Sequence, residues 1–305
     1  MEKVDLAIIG AGSAGLSAAI YGARGGLKTV VFESGVVGGQ IVLTNEIENY
    51  PGYEEIMSGF ELMCKMRMQA ERFGAEIIEE TVEKIIIEHD EKIIITADNT
   101  YLSKTVAFAT GASPRKLGVP GEERLMSKGV SYCATCDAAL YKGKTVAMIG
   151  GGDSAIEEAI FLTKFAEKVF IIHRRDELRA VHSIQERAFN NSKIEFIFDT
   201  IVEEIKGDKK VESLLLHNKK NNNSFEINVD GVFVYVGIVP NNELIKDLLE
   251  LDTQGFVITN EDMETSIPGF YVIGDIRKKT LRQVVTATSD GAIAGFLAEK
   301  YIAEK

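Results

Sequence analysis

A chain of 305 residues, 45% hydrophobic and 26% charged, exceeds one ordinary core and predicts two soluble domains that fold by burial alone. Its net charge of −12 argues against a nucleic-acid backbone as the main ligand. The start, Met1-Glu2-Lys3-Val4-Asp5, has no basic segment leading into an apolar run, and nothing approaches the roughly 20 apolar residues of a membrane span. A cytoplasmic protein with no membrane or nucleic-acid partner is therefore expected. Three cysteines in so long a chain are not a secreted disulfide framework.

Val4 to Ile9 is a short apolar, β-branched run that ends in Gly10-Ala11-Gly12-Ser13-Ala14-Gly15 and passes into a helical pattern from Leu16. This is the order strand, turn, helix. Gly10 permits the tight turn, Gly12 leaves room for a pyrophosphate, and Gly15 lets the helix pack against the strand. A second strand, Thr29 to Phe32, ends in Glu33, whose carboxylate can accept a ribose hydroxyl. Cys64 lies in Leu62-Met63-Cys64-Lys65-Met66, a helical segment in which it serves packing rather than chemistry. The alternation around Glu83 to Thr96 predicts an antiparallel hairpin.

Cys133-Ala134-Thr135-Cys136-Asp137 places two thiols within reach of a disulfide, with a carboxylate beside them to give or take the proton that exchange requires. It reads as a redox switch. Half of a metal site is the competing reading, but zinc takes four ligands, and only Cys64, His89, His173, His182 and His217 remain, none spaced as a second pair.

The nucleotide-binding pattern recurs. Thr145 to Ile149 leads into Gly150-Gly151-Gly152-Asp153-Ser154-Ala155, a helical stretch, and the strand Lys168 to Ile172. Glu33 lies 23 residues after Gly10, and His173 lies 23 after Gly150, followed by Arg174, Arg175 and, one turn on, Arg179. Guanidinium groups clamp a 2′-phosphate that a carboxylate would repel, so the second unit should prefer NADP over NAD.

Thr105 to Gly111 and Gly231 to Gly237 are buried-strand patterns, each followed three residues later by a proline, Pro114 and Pro240. Each closes its unit. Glu203 to Asn228 alternates as hairpins, with Asn221-Asn222-Asn223-Ser224 as a tip. Gly269 to Asp275 is one more apolar strand ending in an acid, followed by an amphipathic helix to about Tyr301. Having no unit of its own to complete, it returns to the first domain. The expected organisation is one domain of residues 1–112 and 244–305, with 113–243 inserted between crossings near Ala112 to Val119 and Val239 to Glu243. Those crossings are candidate hinges.

Taken together, these residues resemble the low-molecular-weight thioredoxin reductases, a family of flavoprotein disulfide reductases. The likeness rests on Gly10 to Gly15, Gly38-Gly39-Gln40, Glu48-Asn49-Tyr50-Pro51-Gly52, Ala109-Thr110-Gly111, Cys133 to Asp137, Gly150 to Ala155, His173 to Arg175 with Arg179, and Gly274-Asp275 with Arg282-Gln283. It implies an α/β fold of two Rossmann-like, doubly wound, three-layer domains, FAD in the first and NADPH in the inserted second. It also implies a homodimer, with thioredoxin or a thioredoxin-like protein as partner. By the same resemblance Gly10, Gly12, Ser13, Ala14, Gly15, Glu33, Gly39, Gln40, Asn49, Thr110, Gly111, Gly274, Asp275, Arg282, Gln283 and Val284 contact FAD. Gly150, Gly152, Asp153, Ser154, Ala155, His173, Arg174, Arg175 and Arg179 contact NADPH.

The catalytic set implied is Cys136 facing the flavin, Cys133 attacking the partner, and Asp137 protonating the departing thiolate. The local physics agrees at Asp275, since a carboxylate at a strand end can hold a ribityl hydroxyl and the helix after it presents positive dipole to the flavin. Two departures touch partner contacts only: Ser289 before Asp290-Gly291, and Ala138-Ala139-Leu140 after the redox pair. The Arg cluster argues against ferredoxin as electron source. Rival readings are the same electron path to a glutaredoxin-like or peroxiredoxin-type protein or a small dithiol, and, from another class, a sensor of NADP(H) without turnover.

Overall fold

The computed structural model describes residues 1–44, 47, 49–88 and 90–305; Glu48 of the flavin motif and His89 of the metal alternative lie outside the described residues. The chain begins β1 (Glu2–Ile9), α1 (Ser13–Arg24), β2 (Thr29–Phe32), α2 (Gly59–Arg72), β3 (Glu76–Ile78), β4 (Val82–Glu88), β5 (Glu91–Thr96) and β6 (Thr100–Phe108). A short crossing strand, β7 (Ala112–Pro114), leads to β8 (Val130–Ser131), α3 (Ala134–Asp137), β9 (Thr145–Ile149), α4 (Asp153–Leu162), β10 (Lys168–Ile172), α5 (His182–Phe189) and β11 (Ile194–Ile197). After β12 (Thr200–Lys206), β13 (Ser213–Asn218), β14 (Asn223–Asn228) and β15 (Gly231–Val234), the chain crosses back through β16 (Ile238–Pro240) and ends with β17 (Phe270–Val272) and α6 (Val284–Ala303).

Two compact units result, Met1–Ser113 with Val239–Lys305, and Pro114–Ile238. The second boundary falls five residues before the expected 244, and the hydrogen bonds give the reason. Asn241 donates its side-chain amide to Thr110 O at 2.8 Å, and its carbonyl accepts from Thr110 Oγ1 at 2.7 Å. Its own N–H reaches Gly111 O at 3.0 Å. The returning chain is thus tied to the first unit directly after the crossing, and β7 and β16 pair as a two-stranded ribbon.

In the first unit β3, β2, β1 and β6 run parallel, and β6 shares its far edge between two partners. Its first residues pair antiparallel with β5 of the β4–β5 hairpin, and its last pair parallel with β17. Strand side chains alternate between faces, and here both faces are covered. Leu6 and Ile8 look into a core with α1, α2 and α6, while Val4, Ala7 and Ile9 look into another formed with the hairpin and Ile245 and Leu249. This explains why β1 reads from Leu6 to Ile9 as a continuous apolar run rather than an alternating one.

The second unit repeats the plan. Its sheet, in the order β11-β10-β9-β15-β8, is parallel throughout. Val146 and Met148 face α3, α4 and α5, and Ala147 and Ile149 face the antiparallel sheet β12-β13-β14. The expected tip lies between β13 and β14, where Asn222 takes φ 58°, a left-handed conformation that asparagine tolerates.

α1 and α6 approach so closely that at two points of the seam there is no room for a Cβ. A Cβ on Gly291 would stand 2.1 Å from Ala14 O, and one on Gly295 2.7 Å from Ala18 O. Gly291→Ala should therefore push the helices apart and cost about 1–3 kcal/mol, read as a fall in Tm. Lys300→Ala on the exposed face of the same helix should stay within about 0.5 kcal/mol. An unchanged Tm for Gly291→Ala would contradict this account of the seam.

Candidate functional site

Each sheet delivers its strand ends to a glycine turn and a helix N-terminus. In the first unit a Cβ at Gly10 would lie 2.5 Å from Ala109 O, and one at Gly15 would lie 1.9 Å from Gly10 O. These two glycines are required by the protein's own backbone. Gly12 differs, because a Cβ there would meet only Gly38 O at 4.0 Å. The space above Gly12, at the N-cap of α1, is open, with Ser13 starting the helix and Ala14 buried beneath.

Glu33 follows β2 and accepts from Ala11 N at 2.8 Å and Gly35 N at 2.9 Å. It shapes the loop while keeping lone pairs for a further donor. Gly38 and Gly39 take φ of 118° and 64°, which turns the chain into the segment that carries Gln40. Gln40 donates to Ala112 O, just beyond Thr110 and Gly111. Asn49 Nδ2 donates to Gln283 Oε1 at 3.1 Å, so two residues 234 apart in sequence come together at the N-cap of α6, one residue before Val284.

Asp275 follows β17 within a short 3-10 turn, Gly274–Ile276. Its Oδ1 is buried with no hydrogen-bond partner among the described residues. Burial raises its carboxyl above the ordinary range, although Lys279 and Arg282 pull the other way. An orphaned buried acceptor has a cost, and here it faces a requirement for a donor from outside the chain. Arg282, expected to contact the cofactor, donates to the carbonyls of Asp275, Lys279 and Arg277 at 3.2–3.3 Å and lies 4.1 Å over the Phe256 ring. It holds the turn in place.

Asp290 does the same from below and was not singled out as a site residue by the sequence. It is 5% exposed and takes Arg277 Nε at 2.8 Å, Arg277 Nη2 at 2.9 Å, Lys279 Nζ at 2.8 Å and Gly274 N at 3.0 Å. Burial alone would raise this carboxyl, but the bonds from Arg277 and Lys279 win and hold it below the usual carboxylate range. The available signal was an acid on the buried face of α6 with Arg277-Lys278-Lys279 upstream.

In the second unit a Cβ at Gly150 would stand 2.5 Å from Tyr235 O and 2.7 Å from the Ala155 side chain, and one at Gly151 would strike the His173 ring at 2.5 Å. Gly152 is again the open position, with Arg179 Nη2 at 3.9 Å its nearest neighbour. Asp153 Oδ1 accepts from Val181 N at 2.7 Å, and Arg179 N and Ala180 N both donate to Gly151 O. The chain after β10 is thereby folded back over the glycine turn. Arg174, Arg175 and Arg179 are exposed, as is Ser154. His173 is buried beneath Gly151, with Nε2 lacking a partner among the described residues. Burial first, and then the three guanidinium groups, keep its pKa below the ordinary value.

The redox pair lies in the same unit. Cys133 and Cys136 form a disulfide with Cα atoms 5.3 Å apart. Cys133 is the N-cap of α3, its N–H donates to Ser131 Oγ at 3.1 Å, and its Sγ lies 3.5 Å from Thr135 Oγ1. Ala134 N–H donates to Tyr235 Oη at 2.7 Å. Tyr132 donates to Glu122 Oε1 at 2.8 Å, and buried Glu122 also accepts from Leu117 N and Gly118 N. Asp137 ends the helix, half-buried beside Cys136. Cys64 is a half-buried free thiol on α2. Among the described residues no three His, Cys, Asp or Glu side chains are grouped to hold a metal ion, and no helix is long and apolar enough to cross a membrane.

Residues 4–291 match the pyridine nucleotide-disulphide oxidoreductase family. The chain belongs to that family. It is 50% identical over 311 residues to the thioredoxin reductase of Peptoclostridium litorale, covering 100% of this chain and 99% of the relative. The crystal structure of thioredoxin reductase from Streptococcus pyogenes MGAS5005 superposes with a TM-score of 0.94 at 48% identity, over 99% of both chains. Lactococcus lactis thioredoxin reductase in its FR conformation gives 0.70 at 47% identity, over 99% of this chain and 100% of that one. The oxidoreductase groups with the low-molecular-weight thioredoxin reductases, and its cofactors are FAD and NADPH. The residues present fit both, because Asp275 Oδ1 awaits a donor and Gly12 and Gly152 each leave an open cradle at a helix N-terminus.

Asp290→Asn should leave Arg277 and Lys279 buried against an uncharged amide and cost about 3–5 kcal/mol at neutral pH, with faster flavin loss. A carboxyl whose folded pKa is depressed contributes stability that is present above its unfolded pKa of about 3.9 and lost as pH falls through the folded value. The Tm gap between the two proteins should therefore close below about pH 4. A gap constant with pH would contradict the ionic account.

Proposed function

We propose that the chain reduces the disulfide of thioredoxin or a thioredoxin-like protein with electrons from NADPH, as a cytoplasmic homodimer. The observation that carries this reading is a Cys133–Cys136 disulfide in the same compact unit as the Gly150 turn and only 14 residues ahead of it. FAD and NADPH, when bound, supply a hydride and from it two electrons for the sulfur pair.

Gly12, Glu33, Gln40, Asn49, Asp275 and Gln283 hold FAD, with Arg282 and Asp290 fixing the turn that presents Asp275. Gly152, Ser154, Arg174, Arg175 and Arg179 hold NADPH, and the guanidinium groups select the 2′-phosphate. His173 supports the glycine turn from beneath.

Once the pair is reduced, Cys133 Sγ attacks the partner's disulfide as a thiolate and forms a mixed disulfide. Asp137 protonates the sulfur that leaves. Cys136 Sγ then attacks Cys133 Sγ, which reforms the internal disulfide and releases the second partner sulfur. No atom is lost in this cycle, and the two electrons end on the partner's dithiol.

The nicotinamide and the disulfide both belong to the inserted unit, and each must reach the same flavin. We therefore propose that this unit turns between two poses about the crossings 112–119 and 239–243. Supporting this, relatives of nearly equal identity superpose on the chain to clearly different extents.

Cys136→Ser separates the two halves of the reaction. Flavin bleaching by NADPH should persist, while turnover with a protein disulfide should fall by about a thousandfold or more. Retained turnover would overturn the assignment of Cys136 as the sulfur that accepts electrons.

A further inference from the structure

α4 buries Ala155, Ile156, Ala159 and Leu162. Residue 158 lies three after Ala155 and four before Leu162, on the stripe where helical periodicity asks for an apolar side chain. It is Glu158. Its Oε2 is shielded from solvent with no hydrogen-bond partner among the described residues, whereas Glu157 beside it is exposed. Neither the glycine turn nor the arginine cluster uses this carboxyl.

What lies within its electrostatic reach is Tyr235, one residue beyond β15 and packed into the same core as α3 and α4. Tyr235 Oη accepts the Ala134 N–H at 2.7 Å, and Ala134 is the residue that follows Cys133. A phenol that accepts one bond still has its own proton to donate. The oxygen therefore links the backbone of the redox segment to the core against which α4 carries the unpartnered Glu158 Oε2. Burial, and next Glu158, raise the phenol above its ordinary value, so it stays protonated throughout.

We propose that Glu158, acting through Tyr235, is a positioning residue that couples proton uptake to reduction of the Cys133–Cys136 disulfide. The inference rests on the reading of that pair as the redox centre. Two electrons break the Sγ–Sγ bond and leave two sulfur anions. One sulfur takes a proton by way of Asp137, and the other remains a thiolate. That new negative charge raises the proton affinity of Glu158, which takes a proton from solvent, and reoxidation returns both protons.

The titratable groups around the site are Glu157 on α4, Tyr235 beyond β15, Asp137 on α3 and Tyr141 in the turn that follows α3. Burial first, and Glu157 second, push the Glu158 carboxyl up to about 7. It is thus poised to change protonation when a charge appears nearby.

The test equilibrates the FAD-loaded enzyme with dithiothreitol redox buffers from pH 6 to 9 and counts Cys133 and Cys136 thiols by alkylation. The slope of midpoint potential against pH gives the protons taken up per disulfide reduced. Between about pH 7 and the free-thiol pKa of about 8.5, the wild-type enzyme should take up more protons than Glu158→Gln, the excess rising with pH from at most about half a proton at pH 7 towards one. Tyr235→Phe should lose the same increment, and Glu158→Asp should recover part of it. Equal proton counts in wild-type, Glu158→Gln and Tyr235→Phe would overturn the coupling. Should Glu158→Gln fail to retain flavin, Tyr235→Phe alone decides by the same slope. A disulfide that NADPH cannot reduce in the wild-type enzyme would instead overturn the redox reading on which the inference stands.

Discussion

Backbone meets backbone at the glycine turn of each unit, and glycine is the residue that allows it. At Gly15 the space for a Cβ is already taken by Gly10 O, 1.9 Å away, and at Gly150 it is taken by Tyr235 O at 2.5 Å. These contacts draw each first helix onto its sheet and leave Gly12 and Gly152 open above the helix N-termini. The N–H groups there have no intrahelical partner, and together with the helix dipole they favour an anion. The rest of each unit serves to hold that opening. In the first, Glu33 ties β2 to the turn, and Asp290 with Arg277 and Lys279 ties α6 to the loop bearing Asp275. In the second, Arg179 and Ala180 fold back onto Gly151.

Much of this was legible from residue order. β2, the second half of β1, and most of β9 and β10 are buried on both faces, and so appear as short apolar runs. The glycine turns follow directly from them. The hairpin β4–β5 appears as alternation because one of its faces is partly open. What could not be read were interactions between distant residues. Asp290 and Gly274 are 16 apart, Ala134 and Tyr235 are 101 apart, and Asn49 and Gln283 are 234 apart. Local spacing carries no sign of such pairings.

Two residues show what else the fold asks of a side chain expected at a cofactor. His173 occupies the offset where Glu33 stands in the first unit, yet the missing Cβ of Gly151 lets its ring slide beneath the turn, and the charge is presented by Arg174, Arg175 and Arg179 instead. Arg282 is adjacent to Gln283 in a motif read as cofactor contact, and three of its five donors go to loop carbonyls. In each case a neighbour's geometry decides what the side chain can touch. The second boundary moved for a similar reason, since Asn241 binds Thr110 and Gly111 before the expected return of the chain.

The redox segment is held on three sides within its own unit: by Ser131 at Cys133, by Tyr235 at Ala134, and by Glu122 at Tyr132. A disulfide so mounted beside a nucleotide turn is suited to receive electrons rather than to staple the fold. The most direct measurement is the amount of NADPH the anaerobic enzyme consumes before the nucleotide accumulates. With both flavin and sulfur pair to fill, the wild-type enzyme should take up about two equivalents per chain, and a Cys133→Ser/Cys136→Ser variant about one. Equal uptake by the two proteins would mean that the sulfurs lie outside the electron path, and would contradict the account.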